Sequence, residues 1–231
     1  MPKMPQDAFT VRDLFRLPYA YSLLSAIILL AFALICEYWA TVYEIIYLAR
    51  PTSVYVGDIV LDNIPVMDLS ILIIDGAILF IVALTAFLLK HPRYILFTVK
   101  ALALFIIVRA LFTSLTHMGI YPGSIQPGAG FFDAIYMYLN MQTGFFFSGH
   151  TGMPFLLALI FWQYRNVRAV FLFVSFVAAV AVLFAHVHYS IDVLAAPFMA
   201  FGIFNIAQYL FRRDWELARA GVHNRLTSAQ T

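Results

Sequence analysis

Six long apolar stretches limit what this chain can fold into. Each approaches the roughly 20 residues that an α-helix needs to cross a hydrocarbon core about 30 Å thick. Hydrophobic residues make up 63% of the chain and charged residues only 11%, whereas about a quarter of the residues in soluble proteins are charged. The stretches lie at residues 18–38, 69–89, 94–116, 149–164, 169–187 and 190–211. The sequence therefore predicts an all-α, multi-pass integral membrane protein with six transmembrane helices.

The six stretches predict one domain. The chain has no repeat, low-complexity segment or separate soluble region, so residues 1–231 are expected to form a single six-helix unit. The ends, about 1–15 and 214–231, are expected to be disordered or surface tails. The first stretch has Glu37 and Tyr38 where a signal peptide would have small residues for cleavage, which favours a retained helix.

Basic residues are distributed unevenly between the connections, and this predicts the orientation. Cytoplasmic loops of membrane proteins carry an excess of Lys and Arg. Eleven of the fourteen Lys and Arg residues lie in the two tails and in the second and fourth connections, whereas the opposite face has only Arg50. Both termini are therefore predicted to be cytoplasmic. The net charge of +2 reflects this bias and gives no indication of nucleic-acid binding.

Two short polar motifs fall on the same predicted non-cytoplasmic face. His188 and Asp192 are four residues apart, so on a helix they share a face and the carboxylate can orient the imidazole. An imidazole held in this way is a nucleophile or a base. Ser148, Gly149 and His150 lie at the predicted start of the fourth helix, where unpaired N–H groups and the helix dipole favour an anion such as phosphate. Together the motifs predict one active site.

Arg109 lies in the third apolar stretch, towards the same face. Ionisable side chains inside a membrane are costly and usually face the bundle interior or a wet cavity. A guanidinium is always charged and binds phosphate through a bidentate fork. Arg109 is therefore a candidate phosphate ligand, and a structural ion pair with Asp75 is the alternative. Lys100, in the same stretch, is expected to extend towards the cytoplasmic interface.

The motifs resemble a known family. Phe-Ser-Gly-His-Thr at residues 147–151 and His-Tyr-Ser-Ile-Asp-Val at residues 188–193 are similar to the sphingomyelin synthase branch of the lipid phosphatase and phosphotransferase superfamily. The motifs of that branch read Ser-Gly-His-Thr and His-Tyr-Thr-x-Asp-Val. Residues 65–68 resemble its Pro-x-Pro-Asp segment. The Lys-x6-Arg-Pro motif of ordinary lipid phosphate phosphatases does not occur in the chain, which favours the synthase branch.

The resemblance implies a lipid phosphotransferase that acts through a phosphohistidine. His188 would attack the head-group phosphorus of a phospholipid donor, Asp192 would hold the tautomer of His188, and His150 would protonate the departing diacylglycerol. The acceptor would be a lipid hydroxyl or water, and no cofactor or metal ion is expected. The phosphate is expected to be bound by Arg109, Ser148 and Gly149. Further candidates for substrate contact are Asp68, Thr113, Thr116 and Tyr189.

Two other functional classes remain open. A lipid phosphate phosphatase acting on phosphatidic acid or a lipid pyrophosphate would use the same two histidines and the same aspartate. A non-enzymatic transporter or metal-binding bundle would use His117, His150, His186 and His188, although His-x-His with a distant His is weak evidence for zinc. The oligomeric state is left open.

Overall fold

A computed structural model describes residues 9–50, 54–115, 117–125 and 146–228, with side chains up to residue 220. Within these ranges the regular structure is entirely helical, as expected for an all-α protein. The α-helices are α1 Tyr19–Leu48, α2 Gly76–Lys90, α3 Ile95–Leu115, α4 Gly149–Ile160, α5 Arg165–Phe184, α6 Ser190–Leu210 and α7 Arg212–Ser228. A π-helical turn, Ile71–Asp75, leads directly into α2.

Within the described ranges, five helical segments are long and apolar enough to cross a membrane, which supports an integral membrane protein. They are Tyr19–Leu48, Ile71–Lys90, Pro92–Leu115, Arg165–Phe184 and Ser190–Leu210. The fourth expected span differs, because α4 is apolar but has only 12 residues. A helix of that size is about 18 Å long, so six full-length spans are not confirmed.

The helices share a buried core and carry many apolar side chains on their exposed outer surfaces. α1 lies along α3, whereas α4 packs between α5 and α6 and also touches α3. α4 is the most enclosed helix, and its Leu156, Leu157 and Ile160 are completely buried. The outer surfaces of α5 and α6 carry large exposed apolar side chains such as Phe176 and Phe198. Helices that are apolar on their outer side are expected where the surroundings are lipid.

The connections between the helices lie at two opposite ends of the bundle. At the loop end, formed by residues 54–70, 117–125 and 185–189, backbone hydrogen bonds join segments distant in sequence. Gly119 N–H donates to Val54 O at 3.1 Å, and Met67 N–H donates to Phe184 O at 2.8 Å. At the basic end, formed by the α2–α3 and α4–α5 connections and α7, Lys100 Nζ donates to Ser22 Oγ at 2.7 Å. The orientation of the two ends in the membrane stays a prediction.

The C-terminal segment begins with a helix. Residues 214–231 are expected from the sequence to form a disordered or surface tail, and in this region the structure describes helix α7, Arg212–Ser228. Asp214 in its first turn is buried and pairs with Lys100 Nζ at 2.6 Å. The Trp215 ring packs 4.7 Å from Phe97. The charged residues of α7 concealed this packing, because the partner of Asp214 lies 114 residues away.

Candidate active site

The start of α6 brings the second motif into position. Tyr189 is the N-cap residue, and Asp192 lies in the first turn. Oδ2 of Asp192 accepts a hydrogen bond from Tyr189 N–H at 3.1 Å and lies 3.4 Å from Nδ1 of His188. Asp192 is completely enclosed and His188 is buried. One carboxylate oxygen thus caps the helix and orients the imidazole, and with the proton on Nδ1 the lone pair is on Nε2.

The start of α4 brings the first motif beside it. Ser148 is the N-cap residue, and its hydroxyl oxygen accepts from Thr151 N–H at 3.4 Å. The backbone N–H of Ser148 donates to the carbonyl oxygen of Asp192 at 2.9 Å, which ties the two helix starts together. The ring centroids of His150 and His188 are 6.2 Å apart. The structure therefore gathers both imidazoles and their orienting carboxylate at the loop end.

Arg109 lies against the first turn of α4. A Cβ atom added to Gly149 would be 3.5 Å from Arg109 Nε, so the guanidinium is beside the residue that precedes His150. Arg109 is buried, and its Nη1 forms an ion pair with Oε1 of Glu37 on α1. The observed acidic partner is therefore Glu37 and not the Asp75 considered from the sequence. The positive charge is close enough to α4 to serve an anion at the helix start.

The two threonine candidates and Asp68 differ in how closely they relate to the site. Thr113 is buried one turn beyond Arg109 on α3, and its Oγ1 has no hydrogen-bond partner among the described residues. Thr116 lies outside the described residues. Asp68 is exposed and accepts hydrogen bonds from the N–H and hydroxyl of Ser70, at 3.1 and 2.6 Å. In this structure Asp68 is a local cap for the helical segment that leads into α2.

Tyr189, another candidate for substrate contact, holds loops together in the structure. Its hydroxyl donates to Gly119 O at 2.7 Å and accepts from Val56 N–H at 3.2 Å. Its ring is almost completely buried and lies edge-on to Tyr121. Tyr189 therefore links the first and third connections to the residue that follows His188.

Asp58 is a residue of this region that sequence patterns did not reveal. Its Oδ2 accepts from Ser190 N–H at 2.7 Å, and its Oδ1 accepts from Val60 and Leu61 N–H at 2.9 and 3.2 Å. Burial raises the pKa of Asp58, but these hydrogen bonds outweigh burial and hold the pKa below its ordinary value. Two carboxylates, Asp58 and Asp192, thus cap successive N–H groups at the start of α6.

Two residues with unusual backbone geometry precede the two motifs. Among the described residues, Phe147 and His186 are the non-glycine residues with positive φ, at 39° and 54°. Phe147 is fully buried edge-on against Phe105. His186 lies just after the C-terminal end of α5. Its N–H donates to Leu183 O and the next N–H donates to Val182 O, a pattern that favours glycine at the position of His186. Such strain is retained where the surrounding structure fixes it, often at functional sites.

Two of the four histidines considered for a metal site, His117 and His186, pack against aromatic residues. Within the described part of the chain, no group of three or more His, Cys, Asp or Glu side chains could hold a metal ion. The His117 ring stacks on Tyr47 at 4.0 Å, and the His186 ring lies edge-on to Tyr121 at 5.2 Å. These rings pack against aromatic neighbours and not around a common point.

Comparison with known families covers the part of the chain that holds both motifs. Residues 143–209 match the family model described as PAP2 superfamily C-terminal. The match supports membership of the PAP2 superfamily. Members are phosphatases and phosphotransferases, so the match supports a phosphoryl-transfer enzyme acting in lipid metabolism. No curated protein and no solved structure matched the chain.

Proposed function

We propose that this chain is a membrane-embedded lipid phosphotransferase. It cleaves a phospholipid head group through a phosphohistidine on His188. The head group then passes to a lipid hydroxyl, as in sphingomyelin synthase-like enzymes, or to water, as in phospholipase C-like enzymes. The observation that carries this proposal is the pair of imidazoles, His150 and His188, with centroids 6.2 Å apart and Asp192 at Nδ1 of His188.

The spacing of the two rings suits a single phosphorus atom between them. Attack requires reacting atoms about 3–3.5 Å apart, and proton transfer requires heavy atoms about 2.6–3.2 Å apart. Centroids separated by 6.2 Å are close enough for both rings to reach one phosphate group. In this arrangement one histidine serves as the nucleophile and the other as the acid and base.

In the first step, Nε2 of His188 forms a bond to phosphorus and the bond from phosphorus to the diacylglycerol oxygen breaks. His150 donates a proton to that leaving oxygen. Asp192 stabilises the positive charge on the imidazole, while Arg109 and the N–H groups at the start of α4 stabilise the phosphoryl oxygens. The products are diacylglycerol and an enzyme that carries the phosphorylated head group on His188.

In the second step, the acceptor hydroxyl gives its proton to His150 and its oxygen attacks phosphorus. The bond between phosphorus and Nε2 of His188 breaks, which restores the free imidazole. Hydrolysis and transfer thus use the same residues, and they differ in whether water or a lipid hydroxyl reaches the phosphoenzyme. The expected partners are a phospholipid donor and a lipid or water acceptor.

A lipid phosphate phosphatase is the second candidate. The family match favours it equally, because the superfamily contains phosphatases. Such an enzyme would form the same phosphohistidine from phosphatidic acid or a lipid pyrophosphate. The two candidates differ in the donor that they accept, so donor preference separates them.

Product analysis tests the proposal. Purified protein in detergent is supplied with labelled phosphatidylcholine, phosphatidylethanolamine or phosphatidic acid, with and without ceramide. Diacylglycerol together with a new phosphosphingolipid is expected for a transferase, and diacylglycerol with a free phosphoalcohol is expected for a lipase. Turnover of phosphatidic acid alone would overturn the proposal in favour of a phosphatase.

Two histidine variants serve as a matched pair in this assay. His188→Ala is expected to abolish turnover, because it removes the nucleophile. For the same reason it is expected to abolish the acid-labile labelling of the protein that a phosphohistidine formed from the labelled donor would give. His91→Ala is expected to behave as wild type, since His91 ends α2 at the basic end of the bundle. Equal activity in the two variants would contradict the role of His188.

A further inference from the structure

The ion pair between Glu37 and Arg109 places a negative charge beside the proposed phosphate ligand. Glu37 lies on α1, and its side chain is 24% exposed. Oε1 accepts from Arg109 Nη1, whereas Oε2 is buried without a hydrogen-bond partner among the described residues. The same guanidinium lies against Gly149, next to His150. Glu37 therefore contacts the proposed phosphate ligand, Arg109, and its charge is coupled to the site through the charge of Arg109.

The pair imposes a charge balance on any phosphate that Arg109 binds. Inside a membrane protein, unpaired charges are costly and Coulomb interactions are weakly screened. Glu37 and Arg109 neutralise each other before a substrate arrives. A phosphate monoester at neutral pH carries nearly two negative charges, about one more than a phosphodiester, and is therefore repelled more strongly by Glu37. A phosphodiester carries one negative charge, and an ammonium group on its alcohol makes the head group neutral overall.

We infer that Glu37 is a specificity-determining residue. It weakens the binding of dianionic phosphate monoesters by Arg109 and so favours phosphodiesters with a zwitterionic head group. The inference rests on the proposed function, in which Arg109 binds the donor phosphate. Glu37 acts through the electrostatics of Arg109 and does not touch the reacting atoms. Discrimination by charge repulsion is a common way to reject a competing ligand.

The isosteric variant Glu37→Gln tests this role. Glutamine keeps the length of the side chain and an oxygen that can accept from Arg109, but it removes the charge. The ratio of kcat/KM for phosphatidylethanolamine to kcat/KM for phosphatidic acid is expected to fall roughly tenfold, mainly because KM for phosphatidic acid falls. A variant that changes both donors by the same factor would show that Glu37 has only a structural role and would overturn the inference.

Two further variants complete the test. Asp75→Asn removes another half-buried acid at the start of α2 and is expected to leave the ratio unchanged. Glu37→Asp shortens the side chain by one methylene group, which moves the negative charge away from Arg109, and it is expected to give an intermediate ratio. It serves as the test if Glu37→Gln does not fold. A ratio in Glu37→Asp equal to that of wild type would then contradict the inference.

The inference and the proposed function fail in different ways. A wild-type protein that turns over only phosphatidic acid overturns both. A wild-type protein that turns over phosphodiesters, with a donor ratio that Glu37→Gln leaves unchanged, overturns the inference alone.

Discussion

The carboxylate of Asp58 accepts a hydrogen bond from the backbone N–H of Ser190 at 2.7 Å, although 132 residues separate them. Ser190 is the first residue of α6, two positions after His188. The first connection of the chain therefore contributes to the position of the proposed nucleophile. A loop between two membrane helices is thereby part of the support of the site.

Removing this support is expected to reduce both stability and activity. Asp58→Ala leaves the N–H of Ser190 without its acceptor, which costs about 1–3 kcal/mol, and we expect kcat to fall about tenfold as the contact between His188 and Asp192 loosens. Asp58→Asn keeps one acceptor oxygen and is expected to lose less. Thermal unfolding in detergent and steady-state assays measure the two effects. Full activity in Asp58→Ala would contradict this role.

The same contact predicts a dependence of stability on pH. Its hydrogen bonds exist only in the folded protein and hold the pKa of Asp58 below its ordinary 3.8. The contribution of Asp58 is therefore complete above that value and is lost as the pH falls through the lower folded value. The difference in unfolding temperature between wild type and Asp58→Asn is expected to be largest near pH 6 and to shrink below about pH 4. A difference that grows on acidification would be inconsistent with this sign.

Asp192→Asn is expected to keep the fold and lose the chemistry. The asparagine oxygen can replace Oδ2 as the acceptor for Tyr189 N–H and for Nδ1 of His188, but the neutral amide no longer stabilises the imidazolium. We expect kcat to fall about 10²- to 10⁴-fold, with KM close to wild type. Single-turnover release of diacylglycerol measures this effect. A loss of less than tenfold would indicate that the 3.4 Å contact is not used in catalysis.

His186→Gly is expected to be more stable than His186→Ala. Both variants lose the buried ring that packs on Tyr121, but glycine adopts positive φ without a steric penalty, whereas alanine at φ 54° retains the strain. The difference in favour of glycine should be about 0.5–1 kcal/mol. Unfolding temperatures in the same detergent compare the two variants. Since both lack the imidazole, a loss of activity common to both would be caused by the missing ring.

The ion pair between Lys100 and Asp214 is expected to contribute to stability but not to catalysis. Lys100→Met alone leaves a buried carboxylate unpaired and should cost about 3–5 kcal/mol. The double variant Lys100→Met with Asp214→Leu should recover much of that loss. Activity per folded molecule should stay near wild type in both, because the pair lies at the basic end. A double variant less stable than Lys100→Met would argue against pairing as the cause.

Labelling of single cysteines tests the predicted orientation. In a Cys36→Ala background, Asn63→Cys is exposed at the loop end and Asn166→Cys is exposed at the basic end. A membrane-impermeant thiol reagent added to intact cells or vesicles of known sidedness should label Asn63→Cys from the non-cytoplasmic side. Asn166→Cys should react only after permeabilisation. The reverse pattern would place the site on the cytoplasmic face.

The motifs were predictable because local rules determine them. The spacing of four residues between His188 and Asp192 places them together at a helix start, and apolar stretches of membrane length bring His150 to the same end. Asp58 with Ser190 and Glu37 with Arg109 were not predictable, because each contact joins residues 132 and 72 positions apart without a local pattern. The end of α4 was not predictable either, because the apolar stretch continues to residue 164 whereas the helix stops at Ile160.

The 12 residues of α4 have a consequence for the depth of the reaction. A helix about 18 Å long with its C-terminal end at one surface of a 30 Å hydrocarbon layer would stop about 12 Å short of the other surface. His150 would then lie beneath the level of the surrounding glycerol backbones, so a donor must sink into the protein to react. Turnover should accordingly slow in bilayers made from longer acyl chains, where that descent is greater.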